Sequence, residues 1–139
     1  MLILDTNVIS EARKPSGNRA VKTWLADQDG DEMYISSVSV LEIQRGISQA
    51  EKRGDKPQAT VLTRWLDGMV LPTFAGRILP VDHVIARMAG RLEWPSKTDF
   101  RDPLIAATAI VHRATAVTRN VRHFEGAGIE LVNPWELSS

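Results

Sequence analysis

Short apolar runs alternate with amphipathic stretches along the whole chain. Leu2-Ile3-Leu4 stops at Asp5, the pattern of a strand buried on both faces. Past the Pro15–Gly17 break, Ala20, Val21, Trp24 and Leu25 recur at helical spacing. Met33-Tyr34-Ile35 predicts a second strand, closed by Ser36-Ser37. Val40, Leu41, Ile43 and Ile47 predict a helix from Val38 to about Ala50. The polar segment Glu51–Gln58, with Gly54 and Pro57, connects it to a helix carrying Val61, Leu62, Trp65, Leu66 and Met69. Ile78-Leu79-Pro80-Val81 reads as a third strand, which Pro80 assigns to an edge or a strand end. Val84, Ile85, Met88, Ala89 and Leu92 form a helix that stops near Trp94-Pro95, and Pro103–Val111 reads as a buried helix. Ala116-Val117-Thr118 and Ile129–Val132 complete the strands, closed by Arg119-Asn120 and Asn133-Pro134.

Strands that alternate with helices predict an α/β fold, a central mostly parallel sheet flanked by helices on both faces, over 1–139 as a single domain. Ligands of open sheets of this type bind outside the carboxyl ends of the strands. Asp5, Ser36 and Asn120 each follow a predicted strand, so all three fall on that edge.

Composition narrows the chemistry. Lys plus Arg is 17 and Asp plus Glu is 17, so the net charge is zero and nucleic acid would have to be met by a local patch. The absence of cysteine removes disulfides, thiolate catalysis and zinc–thiolate sites, and fits a reducing compartment. The N-terminus has no basic region before a long apolar core, so no signal peptide is expected. No stretch approaches the roughly 18 apolar residues of a membrane span. The expected location is cytoplasmic, away from membranes.

Several sites are excluded by motif. There is no Gly-x-Gly-x-x-Gly turn, no Gly-Lys-Ser/Thr phosphate loop and no Gly-x-Ser-x-Gly elbow. Asp5-Thr6-Asn7 lacks the second aspartate of a phosphoaspartate-forming pair. His83, His112 and His123 show no metal-ligand spacing and read as structural or surface residues. The carboxylates Asp5, Glu42, Asp99 and Asp102 remain. If they converge, they offer the oxygen ligands that magnesium or manganese prefers, and such a cation activates water against a phosphodiester. Each also has a structural reading. Asp5 suits a turn cap, Ser39-Val40-Leu41-Glu42 fits a capping box, Asp102-Pro103 fits an N-cap with proline behind it, and Asp99 suits a cap or a solvated charge.

The motifs, taken in order, resemble the PIN-domain family, and within it the VapC-type ribonuclease toxins of type II toxin–antitoxin pairs. The resemblance runs through Leu4-Asp5-Thr6-Asn7-Val8-Ile9-Ser10, Ile35-Ser36 with Leu41-Glu42-Ile43 and Gly46, Asp102-Pro103-Leu104-Ile105-Ala106-Ala107-Thr108-Ala109, Thr118-Arg119-Asn120-Val121 and Asn133-Pro134-Trp135. It implies a PIN-like fold and a magnesium-dependent endoribonuclease, with manganese a possible substitute. Asp5, Glu42 and Asp102 match the catalytic and metal-binding acids. Thr6 and Ser36 match polar positions lining the site, and Arg119 and Asn120 fall on the substrate side. Asn120 stands where several members carry a fourth acid, and His123-Phe124 replaces an Asp-Phe pair, which puts a second metal in doubt. The expected products carry a 5′-phosphate and a 3′-hydroxyl, and a structured RNA loop such as that of tRNA is the family-like target. Arg101, Arg119, Arg122 and His123 lie near the site in sequence and offer the local basic patch. A cognate antitoxin, a homodimer, and contact with DNA only through the antitoxin are also implied. Trp24, Trp65, Trp94 and Trp135 serve core or interface packing. Two alternatives stay open, a DNA nuclease of the same fold and a weakly catalytic module that works mainly through its antitoxin at an operator.

Overall fold

A computed structural model describes residues 1–96 and 98–137. Five parallel strands, β1 (Leu2–Leu4), β2 (Met33–Ser36), β3 (Ile78–Leu79), β4 (Thr115–Val117) and β5 (Leu131–Val132), form one sheet in the order β3-β2-β1-β4-β5. The predicted α/β architecture is therefore present, with the sheet wholly parallel. β3 ends before Pro80, at the sheet edge, where a residue without an amide hydrogen leaves no ladder bond unmade.

The sheet is covered on both faces because neighbouring residues of a strand point opposite ways. Leu4, Ile35 and Val117 join a core with Val8, Val21, Ile43, Ile47 and Phe74. Ile3 and Ala116 join a second core with Ile105, Ala106, Ala109 and Phe124. The first face carries α1 (Thr6–Arg13), α2 (Arg19–Ala26), most of α3 (Ser37–Lys52) and α4 (Lys56–Trp65). α4 runs on through a wider turn, Leu66–Val70, into the short α5 (Leu71–Thr73). The second face carries α6 (His83–Arg91), α7 (Arg101–His112) and the short α8 (Val121–Phe124). The small residues Ala106, Ala107 and Ala109 let α7 lie close against the sheet, and Ile105 is fully buried there. Truncating Ile105 to alanine would cost about 2–5 kcal/mol, transfer and cavity together. Trp94 packs edge-to-face on Phe124 with ring centres 5.4 Å apart. Trp24, Trp65 and Trp135 lie half-buried against the first core.

Helix starts differ from the capping readings in two places. α3 begins at Ser37, with Ser36 as its N-cap accepting from the Val38 amide at 3.0 Å. Ser39 and Glu42 thus lie inside the helix and form no capping box. α7 begins at Arg101 behind Phe100, which places Asp102 in the first turn and not at the cap. Asp5 does cap α1, its carboxylate accepting from the Thr6 amide at 2.7 Å. α1 itself is not announced by apolar periodicity, since Val8 and Ile9 are its only buried residues.

Candidate active site

The chain order changes direction between β1 and β4, which are neighbours in space and far apart in sequence. At such a switch point the flanking loops part and leave a crevice at the carboxyl ends of the strands. The register pairs Leu4 with Val117, so the next residues, Asp5 and Thr118, stand side by side at that crevice. Thr118 is fully buried and donates its hydroxyl to Asp5 Oδ2 at 2.8 Å. The same hydroxyl accepts from the Asn120 amide at 3.0 Å, which fixes its direction. Asn7 Nδ2 adds a long contact to Asp5 Oδ2 at 3.4 Å.

Glu42 reaches the same crevice from the middle of α3. Thr6, the first residue of α1, donates its hydroxyl to Glu42 Oε1 at 3.0 Å. The Thr6 oxygen also lies 2.8 Å from Ser39 Oγ. With its one hydrogen committed to Glu42, Thr6 accepts from Ser39. Ser39 lies one helical turn before Glu42, so the two share a face of α3.

These carboxylates are not at ease when ionised. Burial, joined by the nearby Asp102 charge, pushes Asp5 up to about 6, although the Thr118 hydroxyl and the Thr6 amide pull the other way. Glu42 is pushed up to about 7 by burial and by the charges of Asp5 and Asp102, against the Thr6 hydroxyl and Arg101. Two nitrogen-bearing side chains lie against these acids. Arg101 Nη1 stands 3.8 Å from Glu42 Oε2, and His123 Nδ1 stands 3.6 Å from Asp102 Oδ2. Arg101 is itself held by Asp99 in a forked pair at 2.9 and 2.7 Å. That pairing keeps the Asp99 carboxyl down at about 2.

The three acids are close enough to repel one another. Even so, among the described residues no three acidic or histidine side chains are drawn together as a ready metal-ligand set. Glu42 leans to Thr6 and Arg101, and Asp102 to His123. The donor set nonetheless fits a hard cation. It is all oxygen, its charge is under-compensated, and Asn7 Oδ1 is buried beside it with no hydrogen-bond partner among the described residues.

The other sequence-derived site residues divide. Thr6 sits in the crevice as expected. Ser36 is fully buried and caps α3, so its hydroxyl serves the helix start and not a substrate. Asn120 and Arg119 are exposed, and the Arg119 guanidinium lies 5.3 Å from the Trp135 ring. Of the proposed basic patch, Arg101 and His123 touch the acids, while Arg122 is exposed on α8. The sequence pattern does not single out Thr118 and Ser39, whose hydroxyls contact Asp5 and Thr6. It takes Thr118 as the end of a strand, whereas β4 ends at Val117 and leaves Thr118 beside Asp5.

An α/β sheet with an acidic crevice at its switch point is the class that the fold and the site define. The PIN domain matches residues 2–129, and the chain belongs to the PIN domain family. It is 39% identical over 141 residues to the VapC ribonuclease Y4jK of Sinorhizobium fredii, covering 98% of this chain and 99% of that one. It is 36% identical over 140 residues to the toxin FitB of Neisseria gonorrhoeae, covering 97% and 99%. The crystal structure of FitAcB from Neisseria gonorrhoeae superposes with a TM-score of 0.86 at 34% identity, covering 99% of this chain and 100% of that one. FitAB bound to a DNA fragment superposes with a TM-score of 0.87 at 33% identity, covering 100% and 99%. Among the described residues no helix is long and apolar enough to cross a membrane.

Proposed function

We propose that the chain is a magnesium-dependent endoribonuclease, with manganese able to substitute, and the toxin of a type II toxin–antitoxin pair. The observation that carries this reading is the mutual repulsion of Asp5, Glu42 and Asp102 at one crevice, with Asp5 and Glu42 held where burial disfavours their charge. The names of its relatives, a VapC ribonuclease and a toxin, support the same reading.

Asp5, Asp102 and Glu42 would hold the cation, which supplies an activated water and stabilises charge on the phosphodiester. The chain's own groups then have defined tasks. Thr118 and the Thr6 amide orient Asp5, so that its oxygens are fixed before any ligand arrives. Ser39 and Thr6 form a hydroxyl relay that directs Glu42. Arg101 pairs with Glu42, and the His123 ring lies beside Asp102. Both would be placed to donate to phosphate oxygens of a substrate at the crevice. Water adds at phosphorus and the 3′ oxygen leaves, giving a 5′-phosphate and a 3′-hydroxyl.

An antitoxin is the partner this reading requires. The crevice attracts a basic tail, and with zero net charge this chain would reach DNA only through the antitoxin. The toxin would work in the cytoplasm as a homodimer. The test is cleavage of a defined RNA with magnesium or manganese, beside Asp5→Asn. Metal-dependent cleavage that Asp5→Asn abolishes is expected. Cleavage of DNA in place of RNA would move the substrate, and no cleavage of either would leave a binding module.

A further inference from the structure

A cleft of about 200 Å³ opens from the acidic crevice, between α1, α3 and α4. At one end it is walled by Thr6, Glu42 and Arg101, and at the other by Trp65 and Arg13. Thr6, Ser10 and Arg13 follow one another along one face of α1, so the crevice and the cleft share a continuous wall.

Three features of this cleft are not explained by packing. Arg13 lays its guanidinium 5.5 Å from the centre of the Trp65 ring, and its Nε is buried with no hydrogen-bond partner among the described residues. A buried, unmet donor is rare without a role. Gly46 lies inside α3, where glycine weakens a helix relative to alanine. A Cβ there would meet only Leu62 Cδ1, at 3.7 Å, an ordinary contact. Helix packing therefore does not require glycine at this position. What the missing side chain does is keep the cleft open. Finally, two guanidinium groups face a space that an apolar core would have closed.

We propose that this cleft is a nucleobase subsite, which takes the base of a single-stranded ribonucleotide next to the phosphate held at the acidic crevice. The inference rests on the nuclease reading for the position of that phosphate. The physical match is specific. A stacked guanidinium–indole pair offers a flat, polarisable surface to a base. Arg13 and Arg101 are donors only, so they favour a base edge that presents carbonyl or ring-nitrogen acceptors. A base splayed from a single strand fits the cleft, whereas a paired one is not available to it.

The test uses fluorescent single-stranded hexaribonucleotides of each base composition. Binding is measured to Asp5→Asn protein with and without Gly46→Leu, and cleavage with magnesium is measured in the Asp5-containing proteins. Gly46→Leu is expected to weaken binding about tenfold, raise KM more than it lowers kcat, and flatten the preference among bases. If Gly46→Leu does not fold, Arg13→Met keeps the aliphatic stem over Trp65 and removes the donor. It is expected to reduce base preference in the same direction. Cleft-dependent RNA binding without any cleavage would support the subsite and sink the nuclease reading. Cleavage whose base preference neither variant alters would leave the nuclease and overturn the subsite. Absence of RNA binding would overturn both, and weakened capture of a basic peptide with unchanged RNA binding would reassign the cleft to the antitoxin.

Discussion

Thr118 donates its hydroxyl to Asp5 across 113 residues of chain, at 2.8 Å and out of contact with water. The bond favours the ionised carboxylate, against the burial that disfavours it. Thr118→Val keeps the shape and removes the donor, and it also strips the Asn120 amide of its acceptor. Stability at pH 8 is expected to fall by about 1–3 kcal/mol, the range for a buried group left unsatisfied. The Asp5 pKa should rise further, and metal affinity at neutral pH should drop with it. NMR titration of the Asp5 carboxyl checks the first point and calorimetry the second. An unmoved titration would mean that Thr118 does not tune Asp5.

The metal-free protein should lose stability as pH rises through the acidic and neutral range. Asp5 moves from its ordinary 3.8 up to about 6, and Glu42 from 4.5 up to about 7. Between those values the folded state holds protons that the unfolded chain has released. Folding is then favoured below about pH 4, and the advantage is lost on going to pH 7. Each group accounts for about 3 kcal/mol at most, and the pair for less than the sum because they share one site. Denaturant melts at pH 4.5 and 7.5 without divalent cations measure the slope, and Asp5→Asn should flatten it. A metal-free protein that grows more stable toward pH 7.5 would contradict the buried-charge account.

Clustered carboxylates gain most from a cation. Magnesium or manganese is expected to raise Tm, with about 2.7 kcal/mol of stabilisation at a hundred times Kd. Asp5→Asn or Asp102→Asn should remove most of this shift, while metal-free stability stays level or rises. Calorimetry that finds equal metal stabilisation in the wild type and both variants would eliminate these residues as ligands.

A basic antitoxin tail should compete for the same charge. A basic peptide is expected to inhibit cleavage, to bind with an on-rate that falls as salt rises, and to weaken metal binding. Inhibition with unchanged metal affinity would place the contact away from the crevice.

Period and punctuation made the sheet legible, because Leu2–Leu4, Met33–Ile35 and Ala116–Val117 are apolar runs cut off by polar residues. α1 was not legible, since its apolar face is two residues long and Asp5 reads equally well as a turn. The start of α3 could not be decided along the chain. Ser36 and Ser39 are both good caps, and only the end of β2 at Ser36 selects between them. The acids could be named from a family pattern, but their partners could not. Arg101 reaches Glu42 across 59 residues, and Thr6 reaches it across 36, as the fold alone dictates. The Asp99–Arg101 pair is local, yet nothing in the sequence says that the arginine also faces Glu42.

Glu42 gives the sharpest separation between structure and catalysis. Its place inside α3 removes the capping role, and among the described residues its carboxylate is held by Thr6 and Arg101. Glu42→Gln retains an oxygen to accept from Thr6 and removes a charge that burial disfavours. Stability at pH 8 should therefore hold or rise. Glu42→Ala removes the acceptor as well and leaves the Thr6 hydroxyl without it, at about 1 kcal/mol. Metal binding and charge stabilisation need the carboxylate that glutamine lacks. Cleavage by Glu42→Gln is expected to fall at least tenfold, which is about 1.4 kcal/mol of transition-state stabilisation. Initial rates at saturating magnesium, paired with melting curves at pH 8, read both quantities from the same preparations. A stable Glu42→Gln protein that cleaves within twofold of wild type would reduce the working site to Asp5 and Asp102, with Glu42 left as the anchor of Arg101.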